Sequence, residues 1–183
     1  MKLYPVPERL ETKRLILARA QPADARELHR AISASFRHLH PWMPWAKQRP
    51  KLADTRQFCR HATKAFQERK EFSFVMRLKT DGVPIGGCGL VRGDLSVPKF
   101  EIGYWLHSDF TGCGYATEAV EALVRFARKH LRVRRLEIRT DGRNVRSAAV
   151  ALRAGFEPEA VLRNDARDNR GRLRDTRIYT KVF

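Results

Sequence analysis

The segment best suited to chemistry is Thr-Gly-Cys-Gly-Tyr-Ala, residues 111–116, which joins a predicted strand to a predicted helix. Gly112 and Gly114 remove side chains where the loop meets the helix, so several backbone N–H groups lack intrahelical partners and point the same way. The helix dipole adds partial positive charge at this end. The pattern predicts a pyrophosphate site, and the glycines alone leave a plain tight turn open as the alternative.

Two common phosphate-binding motifs are excluded by the residues that follow. No Gly-Lys-Ser or Gly-Lys-Thr comes after the loop, so it is not a Walker P-loop. Thr117 stands where the third glycine of a Rossmann fingerprint would fall.

The elements around the loop must position it. The sequence predicts a strand over 100–106, a loop over 107–114 and a helix from there to about His130. A strand over 134–140 and a short helix over 146–153 follow, and Gly155 is a natural left-handed stop for that helix.

The rest of the chain supplies more strands and two earlier helices. Residues 13–19, 72–78, 83–91 and 176–183 are predicted strands, and the second and third of these form a hairpin. Helices are predicted to begin at Pro22, with Leu28, Ala31 and Ile32 inward, and at Asp54, with Phe58, Ala62, Ala65 and Phe66 inward. An aromatic loop over 38–45 lies between them, and another loop covers 93–98. The order β-α-α-β-β-β-α-β-α-β indicates an α/β domain with a mixed sheet, with one more short strand near Phe156 left open.

Composition limits the class of protein. A length of 183 residues favours one domain over 1–183. A hydrophobic content of 43% with 31% charged residues excludes a mostly disordered chain. No apolar run approaches the ~18 residues of a membrane helix, and the first residues resemble no signal peptide. Three scattered cysteines fit a reducing, cytoplasmic setting.

The net charge of +17 attracts polyanions. One basic cluster comprises Arg125, Arg128, Lys129, Arg132, Arg134 and Arg135. A second comprises Arg163, Arg167, Arg170, Arg172, Arg174 and Arg177, with three aspartates between them. Both fit a solvated basic surface, and contact with RNA or the ribosome is the alternative. The sequence contains no recognisable nucleic-acid-binding module.

Residues 111–116 resemble the Q/R-x-x-G-x-G/A motif of the GNAT superfamily of N-acetyltransferases. Gly114 and Ala116 fill its small positions, and Thr111 replaces the usual Gln or Arg. Other segments resemble the RimJ/RimL-type branch, which acetylates N-terminal amines of ribosomal proteins. They are ETKRLIL, HLHPWMPW, EIGYWL, GYATEAV, NVRSAAVALRAGF and GRLRDTRIY, and they span about residues 11–182.

The resemblance implies how acetyl-CoA is held as a cosubstrate, without a metal. Its pantetheine arm would pair with the edge of the 100–106 strand, which splays away from the 134–140 strand, at Trp105, Leu106 and His107. Its pyrophosphate would meet the amides of Thr111, Gly112, Cys113, Gly114, Tyr115 and Ala116. Asn144 would hydrogen-bond the pantetheine end; a turn at a helix start is its other interpretation.

The resemblance also implies catalytic roles. Ser147, in Asn-x-x-Ser, would protonate the leaving thiolate, and helix capping is its alternative. Glu101 is the first candidate for the base that takes the amine proton, and Glu137 is the second. Either is otherwise an ordinary acid on the surface of a strand. An α-amine, with a pKa of ~7.7–8.0 against ~10.4 for lysine, needs a base less and is therefore favoured as acceptor.

The acceptor site is the least determined part. Trp42 and Trp45 are candidate substrate contacts, with simple packing as the alternative. His38 and His40 lack companions at metal-ligand spacing. The sequence therefore predicts an N-acetyltransferase acting by direct attack in a ternary complex on a protein N-terminus. A small-molecule amine acetyltransferase (polyamine, aminoglycoside or amino acid) and a non-catalytic basic RNA- or ribosome-binding protein are the alternatives, and a homodimer is left open.

Overall fold

A computed structural model describes residues 6–94 and 96–183. Residues 1–5, within the predicted domain, and Leu95, within the predicted 93–98 loop, lie outside the described residues. The described strands form one mixed sheet in the order β1-β2-β3-β4-β5-β6-β8-β7. They are β1 (Arg9–Glu11), β2 (Leu15–Arg19), β3 (Phe72–Leu78), β4 (Pro84–Asp94), β5 (Lys99–Leu106), β6 (Arg135–Asp141), β7 (Glu157–Arg167) and β8 (Leu173–Val182). The predicted α/β class with a mixed sheet is confirmed.

Five α-helices accompany the sheet within the described residues. They are α1 (Ala25–Ala34), α2 (Phe36–Leu39), α3 (Leu52–Gln67), α4 (Tyr115–Phe126) and α5 (Val145–Arg153). A π-turn over Ala127–Leu131 extends α4 close to the predicted end at His130. Gly155 has φ +74°, in agreement with the predicted stop after α5.

The core lies between the sheet and α4, with a smaller cluster under α1 and α3. Its centre is a group of edge-to-face phenylalanines: Phe72 packs against Phe126 at 5.4 Å and against Phe100 at 5.8 Å between ring centroids. Burying each ring contributes roughly 1.5–3 kcal/mol. This packing fixes α4, and therefore the loop that precedes it, against the sheet.

The central pair of strands is open at one end. β5 and β6 run parallel and pair only at Lys99–Arg135, Phe100–Leu136 and Glu101–Glu137. Beyond Glu101, β5 continues to Leu106 beside β4, and β6 continues beside β8. The gap between the separating strands exposes one edge of β5, which is the splay that the resemblance implied.

Three predictions about the fold need correction. The inward position predicted for Phe58 is wrong: its side chain is 48% exposed, because Thr55, Cys59 and Ala62 occupy the inner face of α3. The segment 38–45 is not wholly a loop, since α2 ends at Leu39. The strand near Phe156 is not short, because β7 spans eleven residues. The three-residue strand β1 was not predicted.

Candidate functional site

A cavity of about 690 Å³ opens beside the free end of β5. Its walls come from α2 and the aromatic loop, from the end of β5, from the glycine loop and from α5. The predicted site residues that line it are Trp42, Trp105, Leu106, Thr111, Gly112, Gly114, Ala116, Asn144 and Ser147. The splay and the glycine loop therefore bring residues from distant parts of the chain to one cavity.

The glycine loop has the backbone shape that its sequence demands. Gly112 and Gly114 both have φ +81°, a left-handed conformation that side chains disfavour. Helix α4 begins at Tyr115, and its first intrahelical bond runs from the Glu118 amide to the Gly114 carbonyl, 3.1 Å away. The amides before Glu118 in this helix are therefore available to an anion. Arg146 and Arg153 add positive charge to the cavity lining.

Arg14 holds this loop from behind. Its guanidinium donates to the Cys113 carbonyl at 2.9 Å and pairs with Glu118 at 2.7 Å. The same group lies 4.4 Å from the centre of the Tyr115 ring. These contacts, from the start of β2, fix the loop before any ligand binds.

The exposed edge of β5 presents a backbone donor to the gap. The His107 amide donates to the Ile85 carbonyl of β4 at 2.8 Å. Because successive amides in a strand point to opposite edges, the Leu106 amide points toward the gap. This places an N–H group beside the cavity wall formed by Trp105 and Leu106.

Ser147 lies at the first turn of α5 and meets a residue of β5. The hydroxyl oxygens of Ser147 and Tyr104 are 2.8 Å apart, and the Tyr104 hydroxyl also donates to the Ser147 carbonyl at 3.2 Å. Burial raises the pKa of Tyr104 to about 12, although the bond to Ser147 opposes the shift. Asn144 caps the helix by accepting a hydrogen bond from the Ser147 amide at 3.1 Å.

Glu101 does not line the cavity. It pairs with Arg92 at 2.8 Å. Burial raises its pKa, with Arg92 acting in the opposite direction. The second candidate, Glu137, is paired with Arg135 at 2.8 Å. Both carboxylates sit where β5 and β6 are still paired.

The other predicted residues outside the cavity lining have structural contacts. The Trp45 side chain is 46% exposed and its ring meets that of Trp105 edge-on at 6.1 Å. The His107 ring accepts a hydrogen bond from the Asp109 amide at 3.3 Å. The Cys113 thiol is exposed, and Tyr115 packs against Phe110 and Arg14.

Sequence reasoning missed several cavity residues, among them His38, Tyr104, Arg146 and Arg153. The sequence around His38 shows no metal-ligand spacing and therefore gives no signal for its place in the cavity. Burial, with the charge of Arg146, lowers its pKa. Alternation along β5 could have found Tyr104, because it is two residues from Leu106 on the same face.

Within residues 6–94 and 96–183, no group of three or more His, Cys, Asp or Glu side chains is placed to hold a metal ion. No helix in the same ranges is long and apolar enough to cross a membrane.

Residues 14–157 match the family described as the acetyltransferase (GNAT) domain. The chain belongs to this family. As a GNAT domain it is 30% identical, over 79% of its length and 78% of the relative's, to the putative ribosomal N-acetyltransferase YdaF of Bacillus subtilis. The aligned region covers between 46% and 78% of the curated relatives' own lengths.

Solved structures share the fold of this GNAT domain. The microcin C7 self-immunity acetyltransferase MccE, in complex with acetyl-CoA and AMP, superposes with a TM-score of 0.87 at 27% identity over 93% of each chain. The ribosomal L7/L12 α-N-protein acetyltransferase RimL, in complex with coenzyme A, superposes with a TM-score of 0.91 at 21% identity over 96% of this chain and 98% of the other. The resemblance to the RimJ/RimL type of GNAT protein is confirmed.

Proposed function

We propose that the protein is an acetyl-CoA-dependent N-acetyltransferase whose acceptor is the N-terminal α-amine of a protein, in particular a ribosomal protein. The observation that supports this most is the free edge of β5, which leads directly to the left-handed glycine loop at the start of α4. An extended acyl carrier with an anionic end needs both features in this order.

The described residues fit acetyl-CoA. The space beside Gly112 is open, with no atom within 4 Å of a Cβ built there. Amides of Gly112 to Ala116 would hold the pyrophosphate, assisted by the cations Arg146 and Arg153, whereas the Thr111 amide bonds to the Ser108 carbonyl. Backbone groups at Trp105 and Leu106, and the Asn144 side chain, would hold the pantetheine arm. The contact predicted at His107 needs correction, because its amide bonds to the Ile85 carbonyl and its carbonyl accepts from the Phe110 amide. When bound, acetyl-CoA supplies a thioester carbonyl for attack by an uncharged amine and a sulfur atom that leaves as thiolate.

Two groups of this chain would then stabilise developing charge. The Leu106 amide, directed into the gap, would donate to the carbonyl oxygen as it becomes an oxyanion. Ser147 would pass its hydroxyl proton to the departing sulfur, and its oxygen would take a proton back from solvent. Tyr104 would direct that proton: its single hydroxyl proton can go to the Ser147 carbonyl or to Ser147 Oγ, and in the second arrangement the serine proton is free to point into the cavity.

The amine proton has two routes away from the reaction. Glu101 would take it through ordered water, because its carboxylate lies on β5 but outside the cavity lining. An α-amine also loses its proton to bulk water readily, since its pKa of ~7.7–8.0 is near neutrality. The amine would attack the thioester directly in a ternary complex, with no acyl group on the protein.

The lining of the cavity bears on the class of acceptor. Among the described residues it contains Arg146, Arg153 and His38, and neither Asp nor Glu. A polyamine or aminoglycoside would find no counter-charge there. A peptide N-terminus, which brings one charge that is lost before attack, fits better, with Trp42 and the aromatic loop, including Trp45, as its contacts.

Acetyl transfer to defined amines tests the proposal. The protein is incubated with acetyl-CoA and one of two acceptors: spermidine, or a short lysine-free peptide with a free N-terminal serine. The acetylated products are identified by mass spectrometry. The proposal expects acetylation of the peptide and a far slower reaction of spermidine. Preference for spermidine would establish the small-molecule alternative.

We also propose that the basic surface contacts ribosomal RNA when the substrate is on the ribosome. The support is the cluster Arg125, Arg128, Lys129, Arg132 and Arg134, all exposed. Binding to a duplex RNA should weaken steeply as the salt concentration rises, because each phosphate that the protein neutralises releases counterions. Replacing residues of this cluster by uncharged ones should make the slope of log affinity against log salt concentration shallower. An unchanged slope would contradict the contact.

A further inference from the structure

The turn between β7 and β8 reaches across the molecule to the aromatic loop. The Asn169 side chain donates from Nδ2 to the His40 carbonyl at 2.6 Å and to the Met43 carbonyl at 2.8 Å. These residues are more than a hundred positions apart in the chain. Met43 and the adjacent Trp42 line the cavity, so the contact bears on a wall of the site.

Hydrogen bonds within the turn hold the segment that presents Asn169. The Asp168 carboxylate accepts hydrogen bonds from the amides of Arg170 and Arg172, both at 3.0 Å. The Gly171 amide donates to the Asp168 carbonyl at 2.8 Å, and Gly171 takes the left-handed conformation with φ +82°. Asn169 is therefore held in place before it meets the aromatic loop.

A second tie connects the same turn to the opposite wall. Arg143 bridges the carboxylates of Asp168 at 3.1 Å and Asp141 at 2.7 Å. Arg143 immediately precedes Asn144, which caps α5 and lines the cavity together with Ser147. The turn does not itself line the cavity, but it links the wall formed by the aromatic loop to the wall formed by α5.

We infer that Asn169 is a positioning residue for the acceptor: it fixes the aromatic wall at a set separation from α5, so that the opening admits a slender chain end. The inference rests on the proposed function for the identity of the acceptor. Asparagine suits this place because its amide nitrogen has two protons and can serve two carbonyls at once. Aspartate at the same position would set a carboxylate against two carbonyl oxygens and could donate to neither.

The test compares Asn169→Asp and Asn169→Ala with Asn164→Asp. Asn164 lies on β7 with an exposed side chain, so the control makes the same chemical change on the same hairpin. Two readouts are measured. Hydrogen exchange follows the amides of Trp42, Met43 and Ala46, which are bonded within the aromatic loop at 2.9–3.0 Å. Kinetics follow acetylation of the lysine-free peptide with N-terminal serine.

Loss of the two hydrogen bonds from Asn169 should speed hydrogen exchange at these three amides. It should also raise KM for the peptide about fivefold or more, with kcat changed by less than about twofold. Calorimetric affinity for acetyl-CoA should stay the same, because Asn169 contacts no residue of the glycine loop. Unchanged exchange in the Asn169 variants, or an equal effect of Asn164→Asp, would overturn the inference.

The outcome is separable from that of the proposed function. If the wild-type protein binds acetyl-CoA but does not acetylate the peptide, the proposed acceptor is wrong. Hydrogen exchange then tests the positioning role of Asn169 independently of the acceptor. Faster exchange in both Asn169 variants supports that role, and unchanged exchange contradicts it.

Discussion

The phenol oxygen of Tyr104 lies 2.8 Å from the hydroxyl oxygen of Ser147, and this bond joins β5 to α5 across the opening between the splayed strands. Tyr104 belongs to the half of the sheet that ends at β5, whereas Ser147 follows β6. Burial keeps the pKa of Tyr104 near 12, so its proton stays in place over the range in which enzymes work. In the proposed mechanism, Tyr104 therefore orients Ser147 and keeps its own proton.

Tyr104→Phe and Ser147→Ala should each lower kcat by about tenfold, equivalent to ~1.4 kcal/mol in activation free energy. The double variant should lose little more than either single one, because both changes remove the same oriented proton. The expected coupling energy falls within about 0.5–3 kcal/mol for residues in contact. Steady-state kinetics on the peptide acceptor measure all four proteins, and acetyl-CoA affinity should be the same in each.

Tyr179→Phe is the matched control for this cycle. Tyr179 is also buried, on β8, with a side chain 4% exposed. The Tyr179→Phe substitution removes one phenol oxygen that is not hydrogen-bonded to Ser147, and it should leave kcat unchanged. Additive losses in the Tyr104 and Ser147 variants would show that the two residues act separately.

Gly114→Val should abolish acetyl-CoA binding. The residue has φ +81° and borders the cavity, so a side chain there strains the backbone of the glycine loop, and its Cβ would lie 3.4 Å from the Arg14 guanidinium that holds the loop. Gly82→Val is the control, because Gly82 has φ +73° in a turn with nothing within 4 Å of a built Cβ. Both should lose about 1–2 kcal/mol of stability. Calorimetry should show that only Gly114→Val loses affinity; retained affinity would mean that the pyrophosphate lies elsewhere.

Glu101→Gln should change the pH dependence of stability. Burial raises the pKa of Glu101 in the folded protein, against the opposing effect of Arg92. A raised pKa stabilises the fold below the unfolded value, and this contribution is lost as the pH rises through the folded value. Thermal unfolding should therefore show that the stability of the variant increases relative to that of the wild type as the pH rises above about 4. A stability difference between variant and wild type that does not change with pH would contradict a raised pKa for Glu101.

Asp168→Asn should act in the opposite pH range. Burial alone would raise the pKa of Asp168, but hydrogen bonds from the Arg172 amide, the Arg143 side chain and the Arg170 amide lower it from 3.8 to about 2. Its contribution is present above the unfolded value and is lost as the pH falls through the folded one. The wild type should thus lose more stability than the variant on acidification below about pH 4. Glu121→Gln, on the exposed surface of α4, is the control. Equal loss of stability on acidification in Asp168→Asn and the wild type would contradict a lowered pKa for Asp168.

The fold was predictable where apolar periodicity was strong. Phe72, Phe74 and Met76 alternate along β3, and Ala119, Val120 and Leu123 mark the inner face of α4. Strand β7 was underestimated because most of its residues are exposed, so no alternation of apolar and polar residues marks it. Its length comes from pairing with β8, a long-range contact that no local pattern reports.

The site was predictable where its functional residues lie close together in the sequence. The glycines of 111–116 specify both a backbone shape and an anion site, and Asn144 and Ser147 share one helical turn. The partners of these residues come from elsewhere in the chain. Tyr104 beside Ser147, Arg14 behind the glycine loop and Asn169 against the aromatic loop are visible only once the sheet is assembled.

The most direct test of the central claim is calorimetric titration of the purified protein with acetyl-CoA, with ATP as a control for general attraction of phosphates to a chain of net charge +17. The account predicts one acetyl-CoA per chain with a dissociation constant on the order of 1 μM, and far weaker binding of ATP. Binding of acetyl-CoA no tighter than that of ATP would contradict it, because the basic surface alone would then explain the affinity.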